Sequence, residues 1–167
     1  TIVSSDGITV DVTSPSDVSI TGIQAYSNDN SPTIMFNATD STSGILGYSL
    51  ESDSVNDTIP DDIPESITQV SYTEMEDGIY YLHIKAIDYA LNTGKLTHFM
   101  FGIDTRPPTK PELDHGIISA ENNTLNFGWS ESTDELSGIS HYEIFIYNET
   151  DHLVLTANTS QTNFSSD

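Results

Sequence analysis

The sequence predicts an all-β chain of two β-sandwiches in tandem, the second of them incomplete. Three observations carry this expectation: short apolar runs of period two, one stretch that occurs twice, and turn residues between the runs. Ile34 and Phe36 alternate with Thr33 and Met35. Tyr80, Leu82, Ile84 and Ala86 alternate with Tyr81, His83, Lys85 and Ile87, which predicts a strand with one apolar and one mixed face. Tyr142, Ile144 and Ile146 alternate with His141, Glu143 and Phe145. Asp77-Gly78, Asn92-Thr93-Gly94 and Ser137-Gly138 supply turn chemistry, and no stretch keeps a helical period.

The repeat sets the domain organisation. Residues 35–48 and 127–142 both read as a strand, an Asp, a short turn, Ser-Gly-Ile and a Tyr soon after. Superposing the two Ser-Gly-Ile triplets gives an offset of 94 residues. Val12-Thr13-Ser14-Pro15 and Asp104-Thr105-Arg106-Pro107 repeat at an offset of 92. A period of this size is that of one seven-stranded sandwich. The expected boundaries are a leading strand or linker over 1–16, a sandwich over 17–104, a linker over 105–112 and a second sandwich over 113–167. Three prolines stiffen the linker and remove donors that would continue a sheet. By the offset, Asp167 stands where Thr73 does, so the second sandwich is expected to lack its last two strands. Either the same polypeptide or another chain would supply them.

The residues now carry a resemblance. Trp129 and Tyr142 resemble the core Trp and Tyr of fibronectin type III domains, although Met35-Phe36-Asn37 offers no Trp in the first copy. Asp77-Gly78-Ile79-Tyr80 is similar to that family's Tyr-bearing sixth strand, whose hydroxyl bonds back to nearby backbone. Asp88-Tyr89-Ala90-Leu91-Asn92 and Asp104-Thr105-Arg106-Pro107-Pro108 resemble the turn and linker of prokaryotic surface Ig-like repeats. The resemblance implies tandem Ig-like or fibronectin III-like sandwiches of a bacterial or archaeal cell-surface or S-layer-type protein.

Composition bounds the function. Four basic residues, Lys85, Lys95, Lys110 and Arg106, oppose 26 acidic ones, for a net charge of −22. Such a surface repels phosphate backbones and anionic lipid, so nucleic-acid and membrane partners are not expected. The charge fits solubility in a salty medium or divalent-cation binding. Cysteine is absent, which removes disulfides and thiol chemistry. No apolar run approaches a membrane span. No nucleophile elbow, phosphate loop or His-Glu-x-x-His occurs, and the five histidines are scattered without ligand spacing, so no enzymatic activity is expected.

Calcium takes six to eight oxygen ligands, several of them carboxylates on loops. The candidate ligands are Asp40 and Asp134, each before Ser-Gly-Ile, with Asp88 at the turn and Asp104 at the domain junction. The same aspartates also suit turn capping through backbone N–H groups. The acidic run over 51–65 reads as a solvated loop. Sequons at Asn37, Asn56, Asn122, Asn148, Asn158 and Asn163 would carry N-linked glycans outside the cell. Asn37 lies within a predicted strand and is expected to be the poorest acceptor.

The expected function is a structural repeat of an extracellular surface layer, sheath, filament or adhesin. Its partners would be neighbouring repeats or other copies of the same surface protein. The alternative is an adhesive or carbohydrate-binding module, or one accessory to a secreted hydrolase, using Tyr81, Phe145 and Tyr147 as outward aromatics.

Overall fold

The computed structural model describes Gly7 and residues 9–114, 118–119 and 124–166. All regular structure among these residues is β. The chain divides into two compact units, Thr1–Thr105 and Arg106–Asp167.

Unit 1 has seven strands: β1 (Ser19–Thr21), β2 (Tyr26–Ser27), β3 (Thr33–Asn37), β4 (Ile45–Asp53), β5 (Gln69–Ser71), β6 (Gly78–Asp88) and β7 (Thr97–Ile103). They form one sheet in the order β1-β3-β5 and a second in the order β2-β7-β6-β4. Neighbours run antiparallel except β2 and β7. The period-two pattern becomes a core between the sheets, because successive strand residues point to opposite faces. Ile34 and Phe36 from β3 meet Leu82, Ile84 and Ala86 from β6 and Phe101 and Ile103 from β7. Met35, between them in sequence, is 46% exposed.

The other face of β6 departs from the expected half-solvated surface. His83, Lys85 and Ile87 are buried as well. The acidic stretch after β4 covers this face. Lys85 Nζ pairs with Asp62 and donates to the Pro60 carbonyl at 3.4 Å. A buried ammonium needs such partners, so the segment read as a solvated loop is in part a cover held by its own charge. Tyr80, at the start of β6, donates to the Glu76 carbonyl at 3.0 Å, the bond back to nearby backbone that the resemblance implied.

Unit 2 contains β8 (Ile118–Ser119), β9 (Thr124–Gly128), β10 (Tyr142–Tyr147), β11 (Leu153–Thr159) and β12 (Asn163–Ser165). Its sheets have the orders β12-β9-β8 and β10-β11. The 94-residue offset carries over into hydrogen bonding. Tyr48 Oη accepts the Ala38 amide at 2.9 Å, and Tyr142 Oη accepts the Ser132 amide at 3.0 Å. Tyr48 bridges Glu65 in unit 1, and Tyr142 pairs with Thr159 in unit 2. Among the described residues, unit 2 has no counterpart of β6 or β7. Its buried apolar residues are Trp129 and Ile144.

Hydrogen bonds tie the segment ends to their units. Ser16 N donates to the Thr39 carbonyl at 2.8 Å, so the residues before β1 are tied into unit 1. Thr105 donates from N and Oγ1 to Asp77, while Thr109 N donates to the Thr133 carbonyl at 2.9 Å. The expected 105–112 linker is thus held at Thr105 and at Thr109.

One prediction concerns the tyrosine bond. Tyr48→Phe leaves the buried Ala38 N–H without its acceptor, which is expected to cost about 1–3 kcal/mol. The single tryptophan lies in unit 2, so unit 1 is followed by tyrosine signals in urea and by exchange of the Ala38 amide. An unchanged midpoint and exchange rate would show that this bond contributes no net stability.

Candidate metal centre

The Ser-Gly-Ile motif resolves into a carboxylate-capped loop. Asp40 Oδ1 accepts the amides of Thr42, Ser43 and Gly44 at 3.0, 2.8 and 3.0 Å. Asp134 Oδ1 does the same for Leu136, Ser137 and Gly138 at 3.1, 2.8 and 2.9 Å. Each loop leaves through a left-handed residue, Gly44 at φ +79° and Gly138 at φ +74°, a conformation glycine adopts without a Cβ clash. Amide donors favour the charged carboxylate. The Ser43 amide is the main cause holding Asp40 below its ordinary range, and the Gly138 amide plays that part for Asp134. The capping role expected of both aspartates is present.

Asp40 also belongs to a cluster. One carboxylate oxygen from each of Asp11, Asp40 and Asp88 lies within 4.8 Å of the other two. Three elements converge there: the segment before β1, the capped loop between β3 and β4, and the end of β6. Asp88 is fully buried. Its Oδ1 accepts the Asn92 amide and its Oδ2 the Asn92 side chain, both at 2.8 Å. Asn92 Nδ2 also donates to the Asp11 carbonyl at 3.3 Å. The Asp-x-Ala-x-Asn stretch thus folds over its own carboxylate and holds the N-terminal segment beside it. Leu91, at φ +67°, makes the turn between them.

Asp11 escaped sequence reading because it lies outside the repeated motifs and 29 residues from Asp40. The sequence signal was its place before Thr13, which donates to Asp11 Oδ1 from N at 2.9 Å and Oγ1 at 2.6 Å. The Ser43 hydroxyl, followed by Thr13, lowers the Asp11 carboxyl to about 2. Asp11 Oδ2 is enclosed and accepts no hydrogen bond. Three carboxylates facing one another, one of them buried, repel in a way a divalent cation would relieve. The donor set is all oxygen, which suits calcium or magnesium over a transition metal. The three carboxylates would hold the ion and water would complete its shell.

The other two expected ligands stand apart. Asp104 follows β7, and Gly78 pairs with Ile103, so Asp104 lies at the start of β6 while Asp88 ends it. Ten residues of strand separate those ends, roughly 30 Å at the usual rise, too far to share an ion. Asp134 lies in unit 2, and among the described residues no cluster includes it.

The remaining expected positions can now be placed. Asn37, Asn56, Asn148, Asn158 and Asn163 are all exposed, and Asn122 lies outside the described residues. Asn37 lies within β3 as expected, paired with Ser19 and exposed to solvent. Two of the scattered histidines meet across β6 and β7, His83 Nδ1 lying 2.6 Å from His98 Nδ1. His83 Nε2 is 3.2 Å from Asp53 Oδ1. Strand register, which spacing along the chain does not disclose, brings this pair together.

The capped loops predict an acid response. Asp11, Asp40 and Asp134 are depressed in the folded state, so their stabilisation is complete above the ordinary carboxylate range, near pH 4. It is lost as pH falls from about 4 toward their folded values. A carboxyl NMR titration is expected to place Asp11 at about 2. An Asp11 midpoint in the ordinary range would refute the described hydrogen bonding. Comparison with protein-family models and with curated proteins gives no match.

Proposed function

We propose that the chain is a structural repeat module of an extracellular surface-layer, sheath, filament or adhesin protein, serving as spacer and assembly unit. The observation that carries this reading is the same capped loop and tyrosine bond built twice, 94 residues apart. A chain that repeats a packing device is organised for extension. Five exposed sequon asparagines and the −22 charge support a place outside the cell. Neighbouring repeats and other copies of the protein are the partners of this reading.

The acidic cluster adds a role for calcium. An ion at Asp11, Asp40 and Asp88 would clamp the segment preceding β1 to the end of β6 and make unit 1 stiffer in calcium-bearing media. A second reading is an adhesive or carbohydrate-binding module. It is favoured by Phe145 and Tyr147, two residues apart on β10 and 53% and 57% exposed. Tyr81 does not extend that platform within its own unit, since it stacks on His83 at 6.0 Å.

Surface labelling of intact source cells tests the main reading. The protein should be labelled and protease-shaved without lysis, and intact mass of native material should exceed the sequence mass by glycan increments. Labelling only after lysis would sink it. A polysaccharide titration that perturbs Phe145 and Tyr147 would favour the second reading instead.

Calcium is tested by melting. A ligand that binds only the folded state stabilises by about 2.7 kcal/mol at a hundredfold excess over Kd, so calcium should raise the unit 1 midpoint and chelator should reverse it. Asp11→Asn separates a metal site from a merely structural aspartate. It should lower the midpoint in chelator, because the charged carboxylate's hydrogen bonds with Thr13 are weakened, and abolish the rise with calcium. A midpoint indifferent to calcium at fixed ionic strength would remove the ion from the proposal.

A further inference from the structure

The pairing of β6 with β4 and β7 lays a row of three polar side chains across one face of the sheet. On one side of His83 stands Glu51, and on the other His98. Cross-strand neighbours on one face are close enough to touch. His83 is fully buried, while Glu51 and His98 are exposed. His83 Nδ1 lies 2.6 Å from His98 Nδ1, and the two rings cross at 72° with centroids 4.9 Å apart. They meet through their nitrogens and are not stacked.

The groups that fix His83 decide which of its nitrogens is free. Its Nε2 lies 3.2 Å from Asp53 Oδ1. Asp53 is itself held by the Thr58 hydroxyl at 2.6 Å and the Val55 amide at 2.8 Å, donors that favour its charged form. A carboxylate only accepts, so in the neutral ring Nε2 carries the proton toward Asp53 and Nδ1 turns its lone pair toward His98. Tyr81 stacks on the same ring at an interplanar angle of 17° and holds its plane. A histidine that donates from one nitrogen to a carboxylate and aims the other outward is arranged as metal-ligating histidines are.

We propose that His83 Nδ1 and His98 Nδ1 form a two-histidine site for a borderline divalent transition metal such as Zn²⁺, with Asp53 orienting His83 from behind. The ion takes the place of the hydrogen between the two nitrogens. Tetrahedral bonds of about 2.0–2.1 Å set two imidazole nitrogens roughly 3.3 Å apart, so the 2.6 Å separation widens by about 0.7 Å. That movement falls on His98, whose exposed side chain turns while the enclosed His83 stays fixed. Water completes the shell from the solvent side, and the charge of Glu51 in the same row favours a cation. Imidazole selects such metals where carboxylates select calcium, so this site is chemically distinct from Asp11, Asp40 and Asp88. Bound there, the ion ties β7 to β6 and, through Asp53, to the end of β4. The inference holds whether or not the protein lies on a cell surface.

The full chain, stripped of metal by chelator and returned to calcium-bearing buffer, is titrated with Zn²⁺ and followed by calorimetry and by NMR of the imidazole nitrogens. The Nδ1 resonances of His83 and His98 should shift together and saturate at one ion per chain, with those of His141 and His152 left in place. His98→Gln, a change at an exposed position, should weaken binding by at least tenfold. Asp53→Asn keeps the shape but not the charge behind His83. It should weaken binding by about tenfold or more and move the His83 Nε2 resonance of the metal-free chain, a change that lost packing elsewhere would not produce. Should Asp53→Asn not be recovered folded, His98→Gln alone carries the test. Zn²⁺ that leaves the His83 and His98 nitrogens unmoved, or an unchanged affinity in His98→Gln, would overturn the proposal and leave the pair an N–H···N hydrogen bond only.

Discussion

The pairing of β6 between β4 and β7 is the constraint on which unit 1 depends. One face of β6 supplies Leu82, Ile84 and Ala86 to the core. Its other face supplies Lys85, which holds the 60–62 segment down through Asp62 and Pro60. Its end supplies Asp88, around which Asn92 and the Asp11 segment gather. Both faces of a strand are buried only when both are covered. In β6 the second cover is a charged loop in place of a sheet. The comparison with unit 2 shows the weight of this strand. Without a described counterpart of β6, Trp129 lines an open cleft and its indole lacks an acceptor.

With 26 carboxylates and four strong cations, most acids of the chain have no Lys or Arg to pair with. The chain satisfies its carboxylates with neutral donors instead. Asp40 and Asp134 each gather three backbone amides. Asp53 takes Val55 N and Thr58 Oγ1, and Asp77 takes both donors of Thr105. A carboxylate only accepts, so loops rich in Ser, Thr and Gly suit it as partners. This division explains why the negative charge coexists with ordered turns. It also isolates the exception, since at Asp11, Asp40 and Asp88 three carboxylates share one place.

Much of this was legible from residue order. Alternation located β3, β6 and β10, because the side-chain period of a strand is independent of its partners. The Ser-Gly-Ile repeat located the capped loops, because a left-handed glycine and an Asp a few residues earlier are local requirements. What stayed hidden was set by register. His83 and His98 touch because β6 and β7 pair with that alignment. Burial of His83 and Lys85 depends on a cover from residues 53–62, whose acidity argues for solvent. Asp104 at the domain junction and Asp88 at the turn were both candidate ligands, yet antiparallel pairing sends the two to opposite ends of one strand. Asp11 joins Asp40 and Asp88 only through tertiary packing, so one of the three carboxylates of the candidate centre was unreadable.

The two units also separate local from distant causes of the fold. The capped loop and the tyrosine bond are intact in unit 2, although β6 and β7 have no described counterparts there. The tyrosine bond spans ten residues in both copies, so its loop-closure cost is small. It therefore needs little beyond the two strands it joins. Core burial behaves otherwise. Ile34 of β3 becomes fully enclosed only when residues about fifty to seventy positions later return as β6 and β7. The repeat thus preserves a locally closed corner, and unit 1 reaches full density when the β6–β7 hairpin closes over it.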